Sequence, residues 1–245
     1  MKNQYGLIGK NISYSFSKKY FTKKFKKENL PHEYLNFDLE TIDDLPEILS
    51  NYIDFLKGLN VTIPYKQSIF KYLDEVDTEA EKIGAVNTIK IIDKYYLKGY
   101  NTDVYGFEKS LTPLLKKHHK KALIFGSGGA SKAIRFVLKK LQIPFTVVSR
   151  NPAKNQLSYT DLTAKTIENN QILINCTPVG THPKTEECIP LPYKAIGSNH
   201  LLYDLIYNPQ ETLFLKKGKE HGAQTKNGLE MLQLQADKSW EIWNS

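Results

Sequence analysis

Residues 122–131 read ALIFGSGGAS, an apolar run followed by three glycines within four positions. The run 122–125 predicts a buried strand, and a second apolar run at 145–148 predicts the next one. The positions between them that recur at helical spacing are Ala130, Ile134, Val137, Leu138 and Leu141. Strand, glycine turn, helix and strand make one βαβ unit of a nucleotide-binding fold. In such a unit the N–H groups of the turn and the helix N-terminus approach a pyrophosphate, although a purely structural turn is the alternative.

The residues after the second strand indicate which dinucleotide would bind. NAD-specific folds place an acidic residue at this point, where it binds the ribose 2′-hydroxyl. Here the strand is followed by Ser149, Arg150 and Asn151, with Lys154 close behind. Two cations without a carboxylate suit a 2′-phosphate, which a guanidinium binds as a fork. The segment therefore predicts NADP, unless Arg150 is an ordinary surface cation.

Composition and charge limit the class of protein. The 245 residues are 40% hydrophobic and 24% charged, with a formal net charge of +8. Residues 1–10 hold only a short apolar piece and no segment approaches ~20 apolar residues, so neither a secretory signal nor a membrane span is expected. The two cysteines, Cys176 and Cys188, suggest neither a disulfide framework nor a metal site, which fits a cytoplasmic protein. The densest basic run, 18–27, reads as the wet face of an amphipathic helix; nucleic-acid contact is the alternative, and no nucleic-acid motif accompanies it.

The alternation of elements predicts two α/β domains. Over residues 1–103 short apolar strands alternate with helical patterns, which predicts a mostly parallel sheet covered on both faces. A second, Rossmann-like domain is expected over 104–226, with later strands at 172–175 and 201–205. The last segment, 227–245, predicts a helix with Leu229, Leu232, Ala236, Trp240 and Trp243 on one apolar face and Gly228, Met231 and Gln235 on a second stripe. We expect this helix to pack back on the first domain.

Three polar clusters follow strands in the first domain. They are Ser13-Tyr14-Ser15-Phe16-Ser17, the segment Asn60 to Lys66, and Asn101-Thr102-Asp103. Each alone has an ordinary structural explanation: Ser15 and Asp103 suit helix starts, and Lys66 suits a solvated cation. Ligands of open α/β sheets nevertheless gather beyond the carboxyl ends of strands, where these clusters fall.

Taken together, these segments closely resemble the shikimate dehydrogenase family over essentially the whole chain. The segments that carry the resemblance, in chain order, are Ser15-Phe16-Ser17, NVTIPYK (60–66), GAVNT (84–88), NTD (101–103), GSGGAS (126–131), 149–154, INCTPVG (174–180), YDLIYNP (203–209) and 228–235. The chain departs from the family pattern at Tyr14, Lys18 and Glu230, where His, Pro and a small residue are usual. None of these departures removes a hydroxyl, amide or charge assigned to a ligand.

The resemblance implies roles for individual residues. It implies catalysis by Lys66 and its partner Asp103. The implied substrate contacts are Ser15 and Ser17 for a carboxylate, and Thr62, Asn87, Asp103, Tyr207 and Gln235. The implied NADP contacts are Gly126, Ser127, Gly128, Gly129, Ala130, Ser149, Arg150, Lys154, Leu205 and Gly228. No metal is implied.

The implied reaction is the reversible, NADPH-dependent reduction of 3-dehydroshikimate to shikimate, in the pathway to aromatic amino acids. The expected partner is this small molecule, with no nucleic acid or membrane, and the protein is expected to be a monomer or homodimer. A relative that uses quinate or NAD is the nearest alternative, and Arg150 and Lys154 argue against NAD. A nonenzymatic NADP sensor is the alternative from another class, and an intact Lys66 and Asp103 argue against it.

Overall fold

The chain divides into two compact units. The computed structural model describes residues 2–13, 15–52 and 54–245. Unit 1 comprises Met1–Gly106 and Leu232–Ser245, and unit 2 comprises Phe107–Met231. The sequence-based boundaries, at 103/104 and 226/227, lie a few residues earlier. The division falls inside two helices, Asp103–Leu111 and Leu229–Asn244.

Unit 1 is built on a six-stranded mixed sheet. Its strand order is β2-β1-β3-β5-β6-β4, with β5 antiparallel to both its neighbours and the other pairs parallel. The described elements are β1 (Gln4–Gly9), α1 (Phe16–Lys27), β2 (Glu33–Asp38), α2 (Leu45–Tyr52), β3 (Leu56–Val61), β4 (Glu75–Val76), α3 (Thr78–Ile83), β5 (Thr88–Ile92), β6 (Tyr96–Tyr100), α4 (Asp103–Leu111), which ends in unit 2, and α8 (Leu229–Asn244), which begins there.

The two faces of this sheet bury different side chains of each strand, because successive strand residues point to opposite sides. Tyr5 of β1 packs on one face with Phe21 of α1 and Trp243 of α8, whereas Ile8 packs in the core on the opposite face. Tyr5 and Trp243 stack with ring centroids 4.9 Å apart. A Cβ on Gly58 would lie 2.3 Å from the Trp243 ring, so glycine in the centre of β3 lets the indole lie on the sheet. The terminal helix thus returns to the first domain, as predicted.

Unit 2 has a five-stranded, wholly parallel sheet of order β11-β10-β9-β7-β8. Its further described elements are β7 (Ala122–Phe125), α5 (Gly129–Lys140), β8 (Phe145–Val148), α6 (Ala164–Glu168), β9 (Ile172–Asn175), β10 (Leu201–Asp204), α7 (Leu213–Glu220) and β11 (Gln224–Lys226). The central strands β7, β9 and β10 are fully buried, as expected for strands covered on both faces. The predicted strand–glycine turn–helix–strand unit is confirmed as β7, α5 and β8.

A short 3₁₀ helix spans Ser68–Tyr72. The predicted faces of α8 need correction. Leu229 was assigned to an apolar face, yet it is 36% exposed because it opens α8. The buried face of α8 instead combines the two predicted stripes: it carries Met231, Gln235, Ala236, Ser239 and Trp243. No helix of the described residues is long and apolar enough to cross a bilayer.

A buried histidine in unit 2 makes stability sensitive to acid. His119 is 6% exposed, and its Nδ1 accepts a hydrogen bond from Lys116 N at 3.0 Å. Burial, reinforced by neighbouring positive charges that include His118, lowers the pKa of His119 to about 4. The unfolded chain takes up the proton at its ordinary value of about 6.5, so the stability of the fold decreases as the pH falls from that value towards 4.

We therefore expect His119→Gln to flatten the acid side of the stability profile. The free energy of unfolding of the native chain should fall by about 1–2 kcal/mol more than that of the variant between about pH 7 and about pH 5. Urea unfolding followed by circular dichroism measures this, because both tryptophans lie in unit 1 and do not report on unit 2. His221→Gln, at an exposed histidine of the same unit, is the control. Parallel profiles for the native chain and His119→Gln would contradict the prediction.

Candidate functional site

One edge of the unit 1 sheet collects the polar clusters. Strands β1, β3 and β6 run in the same direction and end there, so the segments that begin at Thr62 and Asn101 lie at this edge. Asn87 reaches the same edge by the opposite route, because it precedes β5 and β5 runs antiparallel to β3. Lys66 follows Thr62 through a cis Ile63–Pro64 bond, and its carbonyl accepts from Val86 N at 2.8 Å.

Lys66 and Asp103 form an ion pair at this edge. Lys66 Nζ donates to Asp103 Oδ2 at 2.6 Å, and their side chains are only 16% and 10% exposed. Asp103 Oδ1 accepts from Asn87 Nδ2 at 2.9 Å, so both carboxylate oxygens have donors. Although Asp103 opens α4, it is Asn101 whose Oδ1 accepts from Val104 N at 3.3 Å. Helix capping therefore does not account for Asp103, whereas a held carboxylate–ammonium pair does.

The amide of Asn87 is oriented by its neighbours. Its Oδ1 accepts from the Thr102 backbone N–H at 2.7 Å, which leaves Nδ2 to face Asp103. Nδ2 also lies 3.4 Å from Gln235 Oε1, and Gln235 Nε2 donates to Leu232 O at 2.9 Å. The structure thus brings together Lys66, Asn87, Asp103 and Gln235 of the predicted residues, and Thr62 lies at the same sheet edge.

The two predicted carboxylate-binding serines flank the start of α1. Ser15 is the N-cap, and its Oγ accepts from Lys18 N at 3.2 Å, so the simple capping explanation holds for it. Its hydroxyl hydrogen is still available to a ligand, since capping uses only the oxygen as an acceptor. Ser17 hydrogen-bonds the hydroxyl of Tyr34, whose pKa is raised above its ordinary value by burial. Tyr14, at which the chain departs from the family pattern, lies outside the described residues.

The glycine turn of unit 2 leaves room for a phosphate group. Gly126 has φ +100°, and a Cβ on Gly128 or Gly129 would meet nothing within 4 Å. Helix α5 begins at Gly129 with Gly128 as its N-cap, and a glycine has no side chain to cap the first N–H groups. Ser127 Oγ lies 3.4 Å from Ser149 Oγ, which joins the turn to the end of β8.

The cations predicted to select a 2′-phosphate lie just past β8. Arg150 and Lys154 are both exposed, and within the described residues neither forms an ion pair. The residues present therefore fit a phosphorylated dinucleotide. No group of three His, Cys, Asp or Glu side chains suited to a metal ion occurs in the described part of the chain.

Leu205 and Gly228 lie against each other in unit 2. Gly228 N donates to Ile206 O at 3.0 Å, and a Cβ on Gly228 would lie 2.1 Å from Leu205 O. Tyr207, the remaining predicted substrate residue, is half-buried in the same segment, and burial raises its pKa.

Comparison with known proteins connects this geometry to a family. Residues 7–89 match the model of the shikimate dehydrogenase substrate-binding domain. A Clostridium botulinum protein named shikimate dehydrogenase (NADP(+)) is 40% identical over 97% of this chain and 95% of its own length. One of the same name from Methanococcus maripaludis is 41% identical over 97% and 90%. The chain belongs to the shikimate dehydrogenase family.

The fold of this family member agrees with a solved relative. The Thermus thermophilus shikimate 5-dehydrogenase, crystallised with NADP(H) and shikimate, superposes with a TM-score of 0.86 at 27% identity, over 98% of this chain and 93% of its own. This agreement supports the assignment of unit 2 as a Rossmann-like domain.

Buried polar residues to which the sequence assigned no role surround the site of this family member. In unit 1 they are Tyr34, Asn60, Thr88, Thr102 and Ser239, each no more than 3% exposed. Asn60, Thr88 and Thr102 had a signal, since they lie in the motifs NVTIPYK, GAVNT and NTD. Ser239 had a weaker one: it follows Gln235 by four positions and so lies on the same face of α8.

Unit 2 also contains a buried carboxylate that was not predicted. Asp204 accepts from Asn175 Nδ2 at 3.0 Å, Ile206 N at 3.0 Å and Thr212 Oγ1 at 2.6 Å. Burial raises the pKa of Asp204 to about 6, against the opposing effect of these donors. The three bonds tie the ends of β9 and β10 to the start of α7.

We expect Gly228→Ala to destabilise unit 2. The added methyl meets the backbone of Leu205, which cannot swing aside as a side chain does, and overpacking of this kind costs about 1–3 kcal/mol. Thermal unfolding followed by circular dichroism measures the loss. Gly197→Ala is the matched control, because a Cβ there meets nothing within 4 Å, and it should stay within about 0.5 kcal/mol. Equal unfolding temperatures for the two variants would exclude a close-approach role for Gly228.

Proposed function

We propose that this protein catalyses the reversible, NADPH-dependent reduction of 3-dehydroshikimate to shikimate, a step of aromatic amino-acid biosynthesis. The observation that carries the proposal is the enclosed Lys66–Asp103 pair, held by Asn87 at the sheet edge. It occurs in a chain that is 40% identical over nearly its whole length to a protein named as an NADP-dependent shikimate dehydrogenase.

Lys66 is the proposed proton donor. As the ketone is reduced, negative charge grows on its oxygen, and the ammonium of Lys66 stabilises that charge and donates a proton to it. In the reverse direction the neutral amine accepts the proton of the hydroxyl. Asp103 orients the ammonium through its bond to Nζ.

Hydroxyl and amide side chains are the proposed substrate contacts. Ser15 and Ser17 bind the carboxylate at the start of α1, where the helix N-terminus also favours an anion. Asp103 is a contact as well as the partner of Lys66. The other contacts to the ring hydroxyls are Thr62, Asn87, Tyr207 and Gln235. Residues 1–103 together with 227–245 are thus assigned to the substrate.

Residues 104–226 are assigned to NADP, which when bound supplies the hydride. The open turn at Gly128 and Gly129 admits the pyrophosphate, and Arg150 and Lys154 bind the 2′-phosphate. The full proposed contact set is Gly126, Ser127, Gly128, Gly129, Ala130, Ser149, Arg150, Lys154, Leu205 and Gly228.

The proposed setting is the cytoplasm, with a small-molecule substrate and no nucleic-acid or membrane partner, as a monomer or homodimer. Both cysteines are free thiols, which suits a reducing compartment.

The purified chain tests the proposal directly. With shikimate and NADP the absorbance of NADPH should rise, and with 3-dehydroshikimate and NADPH it should fall. Quinate and NAD, each substituted in turn, test the nearest alternative reaction. A folded protein that turns over none of these combinations would refute the enzymatic proposal.

Replacing Lys66 should separate catalysis from binding. Lys66→Ala should lower kcat on the order of a hundredfold or more, with a much smaller change in the Kd for shikimate, since its main interaction arises in the transition state. Lys66→Arg should restore activity only in part, because a guanidinium keeps the charge but gives up a proton poorly. Asp103→Asn should both lower kcat and raise the Kd for shikimate. Near-normal turnover by Lys66→Ala at saturating substrate would leave Lys66 as a binding residue only.

Arg150 should determine the choice of cofactor. Losing a charge-assisted phosphate contact costs about 1.5–3 kcal/mol, or roughly ten- to a hundredfold in affinity. Arg150→Ala should therefore raise the KM for NADP by such a factor and leave the KM for NAD almost unchanged. Arg135→Ala, at another arginine of unit 2, controls for general loss of positive charge. Equal effects of Arg150→Ala on both cofactors would remove Arg150 from this role.

A further inference from the structure

Ser239 is a buried hydroxyl on a helix face that otherwise packs Ala236 and Trp243 into the unit 1 core. It is completely buried, and its hydroxyl donates to Gln235 O, one turn earlier, at 2.9 Å. That bond satisfies the hydroxyl hydrogen, so a serine of this kind needs no hydrogen-bond acceptor outside its own helix. Its oxygen nevertheless lies among the polar side chains of three other segments.

Three polar groups converge on the Ser239 oxygen. Thr88 Oγ1 lies at 2.8 Å, Asn60 Nδ2 at 3.0 Å and Thr102 Oγ1 at 3.2 Å. Because the Ser239 hydrogen is directed to Gln235 O, the oxygen is an acceptor here, and its two lone pairs accept from two of these three groups at a time. Ser239 therefore connects α8 to the end of β3, the start of β5 and the segment that follows β6.

The orientation of Asn60 is set from its other side. Tyr34 Oη donates to Asn60 Oδ1 at 2.7 Å, so the NH₂ group must face Ser239. The same NH₂ lies 3.3 Å from Asn87 O, and it therefore holds the backbone at Asn87 as well. Every member of this group is buried, where an unpaired polar atom is costly, so the positions are mutually constrained.

The two threonines carry this constraint to the Asn87 side chain. Asn87 Oδ1 lies 3.1 Å from Thr88 Oγ1 and 3.2 Å from Thr102 Oγ1, in addition to its bond with Thr102 N. Both hydroxyls also touch Ser239. The amide that donates to Asp103 is thus held by groups that Ser239 keeps in place.

We propose that Ser239 is a positioning residue for substrate binding: through the hydroxyls of Thr88 and Thr102 it holds the side chain of Asn87 in the orientation that receives the ring hydroxyls. The proposal rests on the proposed function of this amide. Ser239 acts on Asp103 through the Asn87 amide, whereas Lys66 binds Asp103 directly, so the loss of Ser239 should disturb the binding of substrate more than the proton transfer.

Ser239→Ala should accordingly raise the KM and the Kd for shikimate by roughly three- to tenfold, the value of one hydrogen bond. The kcat of Ser239→Ala should be less than twofold below that of the native chain, and its KM for NADP should not change. The Kd is measured by calorimetry with shikimate alone, and KM and kcat by NADPH absorbance.

A matched serine in unit 2 separates positioning from general destabilisation. Ser110 is 2% exposed, hydrogen-bonds Phe107 O within its own helix at 3.2 Å, and contacts the hydroxyl of Tyr203 at 2.7 Å. Ser110→Ala should lower the unfolding temperature about as much as Ser239→Ala but leave the KM for shikimate unchanged. Equal KM shifts in the two variants, or none in Ser239→Ala, would overturn the proposal.

A double-mutant cycle with Thr88 tests the route. If Ser239 acts through Thr88, adding Thr88→Val to Ser239→Ala should raise the KM no further than the larger single effect, whereas independent effects should multiply. Multiplying effects would overturn the route through Thr88. The native chain distinguishes the two levels of inference: failure to turn over shikimate would refute the proposed function, whereas an active native chain with an unaltered Ser239→Ala would refute only the role of Ser239.

Discussion

A carboxylate enclosed by protein needs hydrogen-bond donors around it. In unit 1 this requirement at Asp103 determines how the neighbouring polar side chains are oriented. One oxygen takes the Lys66 ammonium and the other takes the Asn87 amide. The Asn87 amide is therefore turned with its oxygen away from Asp103, and this oxygen accepts a hydrogen bond from the Thr102 N–H. Further hydrogen bonds connect these groups to Ser239 and Tyr34 in the core. Buried hydrogen bonds thereby hold the reactive groups at the sheet edge in place.

Much of the fold could be predicted from the sequence because the features that indicate it are local. The glycine turn between β7 and α5 and the return of the tryptophan-bearing helix follow from periodicity and turn residues. The site was readable in part for the same reason: Thr62 and Asp103 follow strand ends. Asn87 was different, because its place depends on β5 running antiparallel to β3, a pairing between segments distant in the sequence. Its role was accessible only through resemblance to a family.

The residues that were missed share a physical reason. Ser239 and Tyr34 are polar side chains in segments whose local pattern is that of a helix face and a strand. Local sequence does not show whether such a hydroxyl points to water or to another buried polar group. The error at Leu229 is the converse: an apolar residue at the right spacing remains exposed, because α8 has only just begun and nothing covers its first turn.

The division of the chain has a consequence for the order in which the protein matures. Unit 2 is one continuous segment, Phe107–Met231, and all its strands are available once that segment has been synthesised. Unit 1 is interrupted: Tyr5 and Phe21 have no indole to pack against until Leu232–Ser245 has left the ribosome. The half that begins first is therefore completed last, and during translation the nascent sheet of unit 1 exposes an apolar face for as long as the ribosome takes to make the whole of unit 2.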